Sequence, residues 1–281
     1  MTWPTPADPY EWQEIDGRPA LVCRPLRPFA RHLFTTSDWP LGARHAQSGG
    51  ADAWQDVSHA LAIEPVRLVR GTQVHGHAAI VGTESVRQQE RPQADIAMVR
   101  EPHAAAAVQV ADCVAMLAVD RITGAVVAAH AGWRGMAQRV PQVAIETMRE
   151  KFGTRPVNLL VALSPSIGSC CYEVGGDVRA EFEAAGFKPG QLRRWFKPEP
   201  DIRPGNPTLA RVASQERRPD HWFFDGWAAV LEQLVNAGVP ASQVFSPQLC
   251  TASHADCFCS YRRDGSPSGR LVGAIRCELL P

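Results

Sequence analysis

Apolar residues in this chain come in short, unbroken runs more often than in strict alternation with polar ones. Ala105 to Val110, Val114 to Val119, Ala125 to His130 and Val157 to Leu163 are rich in Val, Ala and Leu throughout, the pattern of strands covered on both faces. Shorter runs at Leu21 to Arg24, Val66 to Val69, Gln243 to Ser246 and Leu271 to Arg276 predict further strands. Helical spacing occurs at Val140, Val143, Ala144, Thr147 and Met148, over Val178 to Ala185, and at Trp227, Val230, Leu231, Leu234 and Val235, where Gly238 stops the helix. The pattern is mixed α/β. Pro198, Pro200, Pro204, Pro207 and Pro219 break the segment from Lys197 to Asp220, which reads as a loop or lid.

Composition narrows this picture in three ways. With 281 residues, 45% of them hydrophobic, the chain can bury a large core, and no linker or charge run marks a boundary, so residues 1–281 are expected to form a single domain. Charge is balanced, 29 basic against 29 acidic residues, which supplies no global field for nucleic acid or an anionic membrane. The N-terminal residues lack the basic start and apolar stretch of a signal peptide, and the best apolar segment, Ala104 to Val119, is interrupted by Gln109 and Asp112. A cytoplasmic protein is expected. Eight cysteines in that compartment argue for reduced thiols, with some available to a metal, and against a disulfide scaffold.

The candidate chemistry lies in three separated residues: His75 in Gln-Val-His-Gly, Cys113 in Ala-Asp-Cys-Val and His130 in Ala-His-Ala-Gly-Trp-Arg-Gly. Strands 114–119 and 125–130 joined by a tight turn, with Gly124 supplying a positive φ, give a register in which residue numbers sum to about 243. Cys113 then faces His130. That separation suits a shared metal ion or a direct thiol–imidazole contact. His75, at a strand end, would complete a set of two imidazoles and a thiolate, a set that suits tetrahedral zinc with one open position. A lone His or Cys beside apolar strand residues is commonly an inert core residue, and spacing alone does not overturn that.

Arg134 follows His130 by four residues in a glycine-flanked stretch before a helix expected to begin near Met136, so an anion could bind within its reach. Two turn-rich segments, Ser164 to Gly175 and Ser260 to Arg270, look like site-forming loops, the second carrying Arg262. Cys250, His254, Cys257 and Cys259 fit no common zinc spacing, and the three cysteines read as inert thiols.

Taken in order, Gln-Val-His-Gly, Ala-Asp-Cys, His-Ala-Gly-Trp-Arg-Gly, Ser-Pro-Ser-Ile-Gly, Cys-Tyr-Glu-Val-Gly, Cys250-Thr251 and Ser-Tyr-Arg-Arg-Asp-Gly closely resemble the bacterial laccase-domain family, from about Gly71 to the C-terminus. Ser164 stands where relatives typically have glycine, and Cys259 where an aromatic residue is usual. The resemblance implies a layered mixed-sheet α/β sandwich, distantly like the deamidating necrotizing-factor toxins, with zinc held by His75, Cys113 and His130. It implies purine nucleoside phosphorylase activity on adenosine, inosine and S-methyl-5'-thioadenosine, with adenosine deaminase activity besides. Purine nucleosides and phosphate would be the ligands, with Arg134 and Arg262 as the natural phosphate candidates. Three rival readings follow. Cys113 and His130 could act as the nucleophile and base of an amidohydrolase that edits peptidoglycan precursors. Copper could replace zinc in a weak polyphenol oxidase, although nine histidines with one His-x-His pair suit a multicopper site poorly. A non-catalytic zinc-binding domain is the third.

Overall fold

The computed structural model describes residues 3–41, 53–82, 91–203, 205–213 and 218–278; Pro204 and positions 214–217 of the proline-rich segment lie outside the described residues. Two six-stranded mixed sheets pack face to face among them. The first takes, in spatial order, β1 (Tyr10–Ile15), β2 (Arg18–Cys23), β3 (Ala30–Thr35), β15 (Leu271–Cys277), β7 (Ala105–Val110) and β4 (Leu68–Val69). The second takes β14 (Val244–Phe245), β10 (Leu159–Leu163), β8 (Val114–Asp120), β9 (Val126–Ala131), β6 (Ile96–Val99) and β5 (Ala79–Val81). A small third sheet joins β11 (Glu173–Gly175), β13 (His221–Phe224) and β12 (Phe196–Lys197).

The unbroken apolar runs follow from this layering. Ala115, Leu117 and Val119 of β8 face the first sheet, while Val114, Met116 and Ala118 face a helical layer. Both faces of the strand are therefore dry, and alternation has nothing to mark. The helical layer contains α3 (Val140–Phe152) and α7 (Gly226–Asn236), with α4 (Gly176–Ala184) and α5 (Pro189–Trp195) beyond them. The outer face of the first sheet is covered by α1 (Ala53–Ala60) and by Trp39 and Leu41.

Helix ends carry their expected chemistry. The Asp225 side chain accepts the Ala228 N–H to cap α7, and Gly153 closes α3 in the left-handed region with its N–H returned to Arg149. The predicted helix near Met136 is two helices, α2 (Trp133–Ala137) and α3. Pro141 has no N–H for a bond back to residue 137 and would crowd its carbonyl, so the chain breaks at Arg139, at φ 63°. Three predicted strands begin late because proline-led 3-10 turns, Pro65–Arg67, Pro156–Asn158 and Ala241–Gln243 after Pro240, take their first residues. The proline-rich segment contains α6 (Ala210–Ala213) and an Arg203–Asn206 bridge within a largely irregular path.

Strand direction gathers the site loops. β8 and β9 are antiparallel, so the start of one meets the end of the other; the start of β6 pairs beside the end of β9 at Ile96–Ala129. β4 runs parallel to β7, whose end leads straight into β8, and the start of β15 pairs Leu271 with Val110 at the end of β7. β10 ends beside Met116 near the start of β8. Residues 70–78, Asp95, 111–113, the end of β9, 164–175 and the segment before β15 thus reach one edge of the sandwich.

Candidate metal centre

Ligand atoms of His75, Cys113 and His130 all lie within 4.8 Å of one another at that edge. The hairpin register differs from the expected one: Ala115 opposes His130, so paired numbers sum to 245 and Cys113 lies one diagonal step away. A shift of two leaves every side chain on its face, which is why the thiol and the imidazole still meet. His130 is buried, Cys113 half-buried and His75 exposed. The group is closed toward the sheets and open at His75.

Asp95, fully buried just before β6, organises this group, and its residue type gave no sign of it in the sequence. Its carboxylate accepts the backbone N–H groups of Val74 (3.1 Å), His75 (3.0 Å) and Gly76 (2.8 Å), which holds His75 at φ 61°. It also takes the His130 Nδ1 at 2.7 Å, which turns Nε2 toward the thiol. Burial works against its charge, yet the bonds from His130, Gly76 and Val74 hold the Asp95 carboxyl below its ordinary value.

Burial alone disfavours the charged forms of Cys113 and His130. Their mutual attraction outweighs it: Cys113 is lowered to about 7, and His130, also bonded to Asp95, is raised to about 9. Gly132 lies over the group. A Cβ there would sit 3.0 Å from Cys113 Sγ, 3.1 Å from His75 Cδ2 and 3.7 Å from His130 Nε2. Two imidazoles, one thiol of depressed pKa and a side-chain-free approach make a donor set fitted to a metal ion with one open side.

Asp112 plays a second clamping role beside Cys113. Its Oδ1 accepts from the Thr251 hydroxyl at 2.6 Å, and its Oδ2 takes the backbone N–H of Arg262 at 2.6 Å. The expected loop around Arg262 is a short helix, α8 (Tyr261–Asp264), capped by the Ser260 side chain. The Arg262 guanidinium lies 5.0 Å from the Tyr172 ring centroid and donates to the Glu173 carbonyl at 2.7 Å. Burial raises the Tyr172 phenol, and the charges of Cys113, Arg262, Asp112 and Arg134 all act on it, so Tyr172 is the common neighbour of both proposed anion-binding arginines. Arg134 is exposed within α2 and stacks over Trp133 at 4.2 Å.

Other expectations resolve differently. His77 meets Gln138 Oε1 at 2.7 Å, outside the three-residue group. The Ser164 hydroxyl accepts the Ala115 N–H at 2.9 Å and so ties its loop to β8. Cys257 and Cys259 are buried in the inter-sheet core, and His254 Nε2 meets Asn206 Oδ1 at 3.2 Å. Cys250 groups instead with Cys170 and Cys171.

The sequence profile of a family described as multi-copper polyphenol oxidoreductase laccase matches residues 43–278. A protein of Bacteroides thetaiotaomicron named purine nucleoside phosphorylase is 30% identical over 218 residues, 75% of this chain and 73% of its own. Adenosine deaminase RL5, from an unknown prokaryotic organism, is 33% identical over 168 residues, 60% of this chain and 56% of its own. The crystal structure of YlmD from Geobacillus stearothermophilus superposes with a TM-score of 0.78 at 26% identity, over 96% of this chain and all of that one.

Proposed function

The chain belongs to this laccase-domain family, and from that premise we propose that it is a zinc-dependent purine nucleoside phosphorylase cleaving adenosine, inosine and S-methyl-5'-thioadenosine, with adenosine deaminase activity. The observation that carries the reading is the convergence of His75, Cys113 and His130 around the space left by Gly132, with Asp95 fixing two of the three. Zinc held there would supply a Lewis acid, of use both to purine departure and to water activation. Arg134 and Arg262 supply planar donors for phosphate, holding its oxygen in line with the anomeric carbon while the C–N bond breaks. Cys113 and His130 act as metal ligands in this reading. The open side at His75 admits the nucleoside.

Product analysis of metal-quantified protein tests it. Adenosine and inosine, each with and without phosphate, are followed by reversed-phase chromatography for wild type and Cys113→Ala. Phosphate-dependent adenine and hypoxanthine, lost with the zinc in the variant, are the expected result, together with inosine formed from adenosine without phosphate. Zinc-loaded protein that leaves both nucleosides intact would overturn the reading.

One observation favours a second reading. Cys113, lowered to about 7 beside an imidazole raised to about 9, has the electrostatics of a nucleophile–base pair in an amidohydrolase acting on peptidoglycan precursors. A thiolate bound to zinc is a poor nucleophile, so the two readings differ in whether activity rises or falls with metal content. Polyphenol oxidation fits the residues least, since the described residues bring only two histidines to the centre.

A further inference from the structure

We propose that Cys170, Cys171 and Cys250 form a second, closed metal site that holds one structural zinc ion behind the first centre. Their sulfur atoms lie within 4.8 Å of one another, and all three residues are buried, at 3%, 0% and 0% exposure. Three thiolates about 2.3 Å from one zinc ion would be roughly 4 Å apart, so the group needs only a small contraction to bind. The sequence hides the set, because two members are adjacent and the third is 79 positions away along the chain from Cys171 to Cys250.

A fourth donor is already at hand. The Ser253 hydroxyl lies 3.6 Å from Cys171 Sγ and 3.8 Å from Cys170 Sγ, and it also bears on the Cys250 thiol. A zinc–oxygen bond of about 2.0 Å beside a zinc–sulfur bond of about 2.3 Å sets oxygen and sulfur about 3.5 Å apart in a tetrahedron, so these separations also need only a small contraction. The Gly168 N–H points to Cys250 Sγ at 3.3 Å, a donor that favours thiolate. A divalent ion offsets two of three thiolate charges, whereas a cuprous ion offsets one, and the smaller residual charge is cheaper to bury. Zinc is therefore assigned in preference to copper.

The surroundings suit a structural ion. Ile167, Ala252 and Leu209 close the group off in its own apolar cluster. Three poorly regular segments meet there: 167–171, 249–253 and the proline-rich segment, whose Pro207 carbonyl faces Cys171 and whose Asn206 side chain accepts the Cys250 N–H at 2.7 Å. Tyr172 and Thr251, which reach the first centre through Arg262 and Asp112, are chain neighbours of these ligands. A metal at this point would pin the back wall of the first site without touching substrate.

The test separates the two centres. In His75→Ala, Cys113→Ala protein the first zinc is removed whatever that centre does in catalysis. Zinc is then counted after anaerobic loading, both of the native protein and after unfolding and refolding, so that a closed entrance is not read as an absent site. One tightly held equivalent, lost on adding Cys250→Ser, is expected. The same His75→Ala, Cys113→Ala background loaded with cobalt(II), which requires no change in the cluster itself, should show the intense thiolate-to-cobalt bands of a tetrahedral sulfur site. The absence of both the equivalent and the bands, a disulfide among the three cysteines in reduced preparations, or retention of cuprous ion with exclusion of zinc would each overturn the proposal.

Discussion

Replacing Asp95 by asparagine removes the charge that three successive amides and the His130 ring share. One amide oxygen cannot serve both the 74–76 turn and Nδ1, so His75 and His130 lose their fixed directions. Zinc affinity of Asp95→Asn is expected to fall about 10- to 100-fold with an unchanged far-UV spectrum, read by competition with a chelator. Affinity within twofold of wild type would show that the carboxylate positions nothing. Gly132→Ala probes the same centre from above. Its φ of −77° suits alanine, so any loss comes from the methyl group 3.0 Å from the Cys113 sulfur and not from the backbone. Displacing these side chains by a few tenths of an ångström should lower activity by about 10-fold, less than the ~10²-fold that a 1 Å misplacement can cost, with a melting temperature close to wild type, and steady-state assays with parallel thermal scans separate the two effects. At this scale the candidate ligands were legible because His, Cys and Arg advertise chemistry. Asp95 and Asp112 were not, since an aspartate before an apolar strand could as well be a turn residue, and only distance shows what its oxygens accept.

Among elements, β2 and β3 give a pH-dependent prediction. Their pairing is Ala20 with Thr35 and Leu21 with Phe34, and beyond it the His32 ring, not its backbone, serves Cys23: Nε2 accepts the Cys23 N–H at 2.9 Å. The ring must be neutral to accept. Burial, aided by the positive charge of Arg27, lowers the His32 pKa from 6.5 to about 4. Between those values the unfolded chain binds a proton that the folded chain refuses, so stability is full above about pH 6.5 and lost as pH falls toward 4. The full difference is about 3 kcal/mol. Urea unfolding at stepped pH should show that decline, and His32→Gln should flatten it; an unchanged slope in the variant would assign the effect elsewhere. Strands β7 to β10 and β15 were readable from their apolar runs; β5, β6, β11, β12 and β13, of two to four residues each, were missed, as were the longer β1 and β3. Their polar positions face solvent or a side-chain bond such as that of His32, so neither presents a continuous run. The proline-led turns show the same competition, since Val66 and Val157 have strand propensity but follow a proline whose fixed φ starts a 3-10 turn.

Across the whole molecule, both large sheets contribute to one core. Phe34 and Ile275 of the first share one buried cluster with Leu117 and Ala128 of the second, and a Cβ at Gly273 would come within 2.9 Å of the Ala115 Cβ. Neither sheet can open without exposing the other. The expected single domain therefore predicts one cooperative unfolding transition, with far-UV dichroism and tryptophan fluorescence superimposed, because Trp39 lies in the layer outside the first sheet and Trp195 in the helical layer outside the second. Gly273→Val should shift both signals together by about 1–3 kcal/mol through overpacking. Two separated transitions would divide the chain into independently folding parts. Among the described residues no helix is long and apolar enough to cross a membrane.

The sequence by itself determined the class of fold, strands β7 to β10 and β15, the turn at Gly124 and the three residues that converge, because buried strands need continuous apolar runs and metal-capable side chains are few. The ordered motifs that hold these residues, together with those that follow them to the C-terminus, were also sufficient to mark the family. Only the tertiary structure decided the register of the hairpin, the division of α2 from α3 and the carboxylate, Asp95, that orients His75 and His130. It alone joined Cys250 to Cys170 and Cys171 in place of its near neighbours Cys257 and Cys259. Those outcomes depend on which strand ends share an edge, and that is set by packing two sheets and a helical layer at once; local spacing carries no record of it.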